Sequence, residues 1–224
     1  MGRDIVVATP AGPVAAWRAD PPHKAAAKGA LVVIQEIFGV NAHIRSIADG
    51  YAAAGYAAIA PALFDPVARN VELRYDSDGF AEGRRLAGEL GLDAATGILR
   101  ATRDLLRQDG HRQIAAVGFC WGGTLAFLAN TRLGLPAVSY YGARTVPVLD
   151  ETLQAPMLFH FGAEDSSIPP DDIAAHRQRQ PEAEVHVYPA GHGFNRDVDP
   201  AHYAPDSAAD ARRRTMRFLA TALR

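Results

Sequence analysis

Ile114-Ala115-Ala116-Val117-Gly118-Phe119-Cys120-Trp121-Gly122-Gly123 is the stretch that decides the fold. Its apolar first half reads as a buried strand, and Thr124 to Asn130 after it reads as a helix. Between them a cysteine stands with a glycine two residues to either side. This is the G-x-nucleophile-x-G turn, with sulfur where a serine oxygen would be. A strand-to-helix turn this sharp leaves no room for side chains at Gly118 and Gly122. It holds residue 120 in a strained conformation with its side chain presented. The helix N-terminus beneath carries partial positive charge, which favours thiolate over thiol. The amide of Trp121 then faces the reacting centre as an oxyanion donor. The competing reading is a buried structural cysteine, because free cysteine is among the most buried residue types. Three glycines at the turn positions and the strand–helix setting weigh against it.

Working outward, short apolar runs alternate with longer amphipathic ones. Leu31–Gln35, Ala57–Ala60, Ala137–Tyr141, Met157–Phe161 and Glu184–Tyr188 read as strands. His43–Ala54, Asp93–Gln108, Asp171–Gln180 and Asp206–Leu223 read as helices. Ile5–Val7 and Val14–Trp17, split by Pro10-Ala11-Gly12-Pro13, read as an antiparallel edge hairpin. Pro61 to about Gly79 reads as a surface excursion. Strand–helix alternation implies right-handed crossovers. The fold class is therefore α/β, a mostly parallel sheet with helices on both faces. No Pro/Gly/Ser linker divides the 224 residues, so one domain over 1–224 is expected.

Composition bounds the function. Hydrophobic residues make up 48% and charged residues 21%, which excludes wholesale disorder. Lys plus Arg is 23 against 25 Asp plus Glu, a net charge of -2. That excludes a strongly basic polyanion binder, so no nucleic-acid partner is expected. No run is long and apolar enough to span a membrane, and the N-terminal stretch does not read as a secretory signal. The lone thiol, Cys120, fits a reducing, cytoplasmic setting and cannot form an internal disulfide. No histidine pair has metal-ligand spacing. Neither a metal nor a cofactor is expected.

In open α/β sheets the ligand site lies at the carboxyl ends of the strands, which singles out Glu36, Cys120, Tyr141, Asp165 and His192. A cysteine nucleophile needs a base, and in this type of turn the acid and then the histidine follow it in the chain. Phe161-Gly162-Ala163-Glu164-Asp165 supplies the acid. Asp165 is preferred because its short side chain can reach across to a histidine, with Glu164 as the neighbouring alternative. Ala190-Gly191-His192-Gly193-Phe194 supplies the base, on a loop whose glycines allow close approach. His160 reads as core, and His176, His186 and His202 as surface. Glu36 ends the first core strand, and the backbone of Ile37 can supply a second oxyanion amide. A solvated strand-end charge is the plainer reading of Glu36.

Gln-Glu-Ile-Phe-Gly at 35–39, Gly-Phe-Cys-Trp-Gly-Gly at 118–123, Tyr-Tyr-Gly at 140–142, Gly-x-x-Asp at 162–165 and Gly-His-Gly-Phe at 191–194 together resemble the dienelactone hydrolase family. The match spans most of the chain, in order and spacing. The resemblance implies an α/β-hydrolase fold and a catalytic triad of Cys120, Asp165 and His192. It also implies a role for Glu36 in generating the thiolate when substrate binds. Family substrates carry a carboxylate bound by arginines; Arg196 matches one, and Arg74, Arg84 and Arg85 are candidates for another. Tyr141 and Phe38 fall at pocket-wall positions. The expected activity is hydrolysis of a lactone or activated enol ester, with a small carboxylate-bearing substrate and a thioester on Cys120. A monomer is expected. Two other classes remain: a broader carboxylesterase or thioesterase with the same triad, and a catalytically silent binding or redox-sensing protein.

Overall fold

The computed structural model describes residues 2–22 and 27–224, and the chain forms two compact units, Met1–Ala115 and Ala116–Arg224. In the first unit, β1 (Arg3–Thr9) and β2 (Gly12–Ala19) make the expected antiparallel hairpin. β2 pairs antiparallel with β4 (Ala57–Pro61), and β4 pairs parallel with β3 (Ala30–Ile34). Every residue of β3 and β4 is buried. That is why these strands read as unbroken apolar runs and not as alternating ones. Consecutive strand residues point to opposite faces, and two neighbours on β2 show what covers each face. Trp17 donates its indole N–H to Asp49 of α1 (Ala42–Ala53) at 3.0 Å. Arg18 pairs with Asp109, directly after α2 (Ser77–Gln108). The two helices therefore lie on opposite faces.

α2 corrects the sequence reading, which began this helix at Asp93. It begins at Ser77, where Asp76 caps it by accepting the Gly79 N–H at 2.9 Å. Glycines weaken helical propensity, and Gly79, Gly83, Gly88 and Gly91 interrupt the apolar period over this first half. Gly91 (φ 74, ψ 162) breaks the helix just before the periodicity becomes legible. The surface excursion expected from Pro61 to Gly79 is also only partly one. Pro61 belongs to β4, Leu63 and Phe64 are buried, and Gly79 lies inside α2. Gln35 Oε1 accepts the Leu63 N–H at 3.0 Å, which draws this segment inward.

In the second unit the strands are parallel, in the order β5 (Ile114–Phe119, its first two residues preceding the boundary), β6 (Ala137–Tyr140), β7 (Met157–Gly162), β8 (Glu184–Tyr188). The helices are α3 (Trp121–Leu133), α4 (Pro170–Arg179) and α5 (Pro205–Ala222). β7 shows how the faces are shared. Phe159 meets Phe127 of α3 and His176 of α4, and Phe161 meets the same His176. His160, between them, points the other way and bonds Thr215 of α5. Helices thus cover both faces, as expected. Among the described residues, no helix is long and apolar enough to cross a membrane.

Two histidines of this unit are buried. His160 is core as expected, whereas His176, expected at the surface, is inside. The His176 ring lies edge-on to Phe159 and Phe161, and its Nδ1–H donates to the Asp172 carbonyl at 2.7 Å. Ile173 is the other buried residue of helix α4, so the ring supplies apolar contact that the side-chain type did not advertise. Burial holds both imidazoles below their ordinary pKa. His160 spans a polar bridge, with Nδ1 to the Tyr188 hydroxyl at 2.8 Å and Nε2 to Thr215 Oγ1 at 3.0 Å. Thr215 also meets the Tyr140 hydroxyl at 2.7 Å. Thr215→Val keeps the shape and strands two buried partners, so it should cost about 1–3 kcal/mol, seen as a lower urea midpoint at unchanged slope. Because the folded pKa values of His160 and His176 are depressed, the unfolded chain binds protons first as pH falls. Stability should therefore decline below about pH 6.5, measured as urea midpoints from pH 8 to 5.

Candidate active site

Residue 120 stands at φ 55, ψ −122, a conformation that side-chain-bearing residues avoid. The neighbouring backbone enforces it. A Cβ on Gly118 would lie 1.8 Å from the Gly122 carbonyl oxygen, so the chain closes on itself only because none is there. Cys120 N–H donates to the Tyr140 carbonyl at 3.0 Å, and Gly123 N–H to the Cys120 carbonyl at 2.8 Å. α3 then runs beneath, buried at every position from Trp121 to Asn130. Such a turn costs about 1–3 kcal/mol of strain, and the surrounding bonds hold it.

Two loops complete the arrangement. After β7, the Asp165 side chain is fully buried while Glu164 is exposed. Asp165 Oδ1 accepts the Ser167 N–H at 2.8 Å, and Oδ2 lies 2.7 Å from His192 Nδ1. His192 Nε2 lies 3.1 Å from Cys120 Sγ. The histidine loop can come this close because Gly162 lacks a side chain; a Cβ there would sit 2.3 Å from the Ala190 carbonyl oxygen. The Tyr141 ring meets the imidazole edge-on at 5.2 Å, with its own backbone at φ 38. Phe194, fully buried, backs Tyr141 at 5.3 Å.

Electrostatics bind the three residues together. Burial alone would push the His192 pKa down. The charge on the Cys120 sulfur, the Asp165 hydrogen bond and the Asp165 charge outweigh it, and the imidazole stays protonated well above its ordinary range. The arrangement can therefore hold a positive imidazolium, partly buried, between Asp165 and Cys120.

Arg196 is not the solvated surface arginine that its sequence position allowed, since its side chain is only 6% exposed. Its guanidinium fills the space beside Gly193 (φ 76), where a Cβ would lie 2.6 Å from Cζ. Asp199 Oδ2 stands 3.7 Å from its Nη1. Of the other candidate arginines, in the first unit, Arg74 pairs with Asp76 and Arg85 with Glu82 and Glu89. Arg84 lies over the exposed Phe80 ring at 5.7 Å. Also in that unit, Glu36, Ile37 and Phe38 are all buried, Glu36 completely, so Glu36 is not a solvated charge. Phe38 packs edge-on against Tyr75 at 4.6 Å.

Sequence reasoning missed the residues that shape these loops. Gln35 staples one of them, with Nε2 to the Glu36 carbonyl at 3.1 Å and Oε1 to Leu63 N–H. A polar residue ending an otherwise apolar strand was the available signal. Gly162 was legible only as the first residue of the Gly-x-x-Asp motif, not as the point where the histidine loop makes its close approach.

The dienelactone hydrolase family model matches residues 14–223. A carboxymethylenebutenolidase of Pseudomonas putida is 33% identical over 200 residues, covering 85% of this chain and 84% of the relative. A crystal structure from Klebsiella pneumoniae subsp. pneumoniae MGH 78578, described as a "Putative Dienelactone Hydrolase", superposes with a TM-score of 0.89 at 29% identity. It covers 98% of both chains. An α/β serine hydrolase from Xanthomonas campestris, 14% identical, shares the fold at a TM-score of 0.70 over 97% of this chain and 94% of that one. With its sheet, its cysteine turn and these matches, the chain is a hydrolase of α/β-hydrolase fold and belongs to the dienelactone hydrolase family.

Proposed function

We propose that this enzyme, acting as one hydrolase domain over 1–224, opens a lactone or activated enol ester by covalent catalysis on Cys120. The support is the unbroken run of short contacts Cys120–His192–Asp165, at 3.1 and 2.7 Å. The Cys120 thiolate attacks the ester carbonyl, and the carbonyl oxygen takes up the electron pair. The Trp121 amide donates to that oxyanion; the family resemblance gives the Ile37 amide the same task and Glu36 a part in forming the thiolate. Collapse expels the enolate, which takes the imidazolium proton and leaves a thioester on Cys120.

Acylation then changes the base. A thioester sulfur carries no charge, so the largest influence holding the His192 proton disappears while burial still opposes it. The neutral imidazole accepts a proton from water, hydroxide adds to the thioester, and thiolate leaves again. Thiolates both attack and depart well, which suits substrates with stable leaving groups. Tyr141 and Phe38 are proposed pocket walls, and Arg196 the partner of a substrate carboxylate. One observation favours a broader ester range. Asp199 already offers Arg196 a carboxylate, which lowers its appetite for a second.

Cys120→Ala should abolish turnover of cis- and trans-dienelactone and of p-nitrophenyl acetate. Wild-type rates in that variant would remove the nucleophile. Arg196→Ala should slow dienelactones at least tenfold more than the neutral ester, compared as kcat/KM; equal losses favour the broader esterase. The imidazole offers an independent check by NMR titration. In wild type the His192 midpoint should lie above 6.5. Cys120→Ala and Asp165→Asn should each lower it, since each removes a negative neighbour and leaves burial in place. An unchanged midpoint in both would dissolve the proposed coupling.

A further inference from the structure

The chain beyond His192 folds back on itself. Ala204 N–H donates to the Phe194 carbonyl at 3.0 Å, which closes a loop over 194–204. Asp199 is the hub of that loop. Its N–H donates to the Arg196 carbonyl, and its own carbonyl accepts the N–H groups of His202 and Tyr203, each at 3.0 Å. The backbone thus fixes where the Asp199 side chain departs, and that side chain is only 11% exposed.

Its carboxylate stands between two cationic or protonatable groups. His202 Nδ1–H donates to Oδ2 at 2.7 Å, a full hydrogen bond. Arg196 Nη1 stands 3.7 Å from the same oxygen, within reach of an ion pair but longer than a hydrogen bond. The guanidinium has little room to move away. It is seated against Gly193, where a Cβ would stand 2.6 Å from Cζ, 2.7 Å from Nη1 and 2.9 Å from Nε. Arg196 N–H also donates to the Gly193 carbonyl at 2.9 Å. A nearly buried guanidinium beside a nearly buried carboxylate is weakly screened. The Asp199 charge is therefore felt at Arg196 and by any anion brought to it. The shorter bond belongs to the half-exposed His202, which holds the shared oxygen back from closing on Arg196.

We infer that Asp199 is a specificity-determining residue, a built-in rival for a substrate carboxylate, whose hold on Arg196 is set by His202. The inference rests on the proposed role of Arg196 and adds the pair that grades it. Removing the Asp199 charge strengthens the preference for anionic over neutral esters. Removing His202 releases the carboxylate toward Arg196 and weakens that preference. Opposite signs from two neighbouring positions are not what a merely structural loop would give.

The readout is the ratio of kcat/KM for cis-dienelactone to that for its methyl ester, a pair alike except for the charge. Lactone opening is followed by ultraviolet absorbance. Asp199→Asn keeps the shape and an acceptor for the His202 N–H, and should raise the ratio about fivefold or more. His202→Ala should lower it about threefold or more. The substrate carboxylate is unchanged through the reaction, so both shifts should appear in KM and not in kcat. In an Arg196→Ala background the rise from Asp199→Asn should shrink to less than about twofold. His202 is half-exposed, so its variant carries the test should Asp199→Asn fail to fold. An unchanged ratio in either folded variant, or a rise from Asp199→Asn that persists undiminished without Arg196, would overturn the inference. Failure of the underlying Arg196 role shows separately, as an Arg196→Ala single variant that slows the acid and its methyl ester equally.

Discussion

The contact between Gly118 and the Gly122 carbonyl is the constraint on which the presentation of Cys120 depends. It lets the chain reverse within one turn of leaving β5, and it places Cys120 at a positive φ. A relaxed residue at this point would send its side chain elsewhere. The strain is met by cooperative surroundings, in which the Cys120 N–H is taken by the Tyr140 carbonyl and its carbonyl by the Gly123 N–H. A helix buried at every position from Trp121 to Asn130 stands behind them. Fold stability is in this way spent on holding one sulfur atom in a conformation it would not otherwise keep.

That placement changes what the neighbouring imidazole is. His192 sits in surroundings that by themselves disfavour its charge, yet sulfur and carboxylate on its two sides reverse the preference. The linkage runs opposite to that of His160 and His176. A raised folded pKa adds stability below the unfolded value, and this is lost as pH rises through the folded one. The depressed core histidines lose stability toward acid. The two linkages act through different groups, the core histidines through burial and His192 through its sulfur and carboxylate neighbours.

Much of this was legible in the sequence. The hairpin, the parallel strands of the second unit and the Cys120–Asp165–His192 proximity follow from apolar runs, glycine spacing and chain order. What escaped has a physical pattern. The first half of α2 was unreadable because its glycines serve contacts rather than helix propensity, so local preference argues against the element that forms. His176 was misplaced because a histidine between two phenylalanine edges is used for its apolar ring, a choice that charge-based reading does not anticipate. Glu36 looked like a strand-end charge, and only coordinates reveal its complete burial.

Glycine links the parts that were read and the parts that were missed. Gly118 and Gly162 in one unit, and Gly39 and Gly83 in the other, each bring backbone onto backbone at a separation that any Cβ would forbid. Side-chain packing can be satisfied by many combinations of similar volume, so it locates a peptide loosely. Contact between two main chains has no rotamers to absorb error, and it locates a peptide to within tenths of an ångström. Within a helix, as at Gly83, such a glycine sacrifices about 0.5–1 kcal/mol of stability. Positions where local propensity loses to this exchange are therefore where a hydrolase of this fold keeps its geometry.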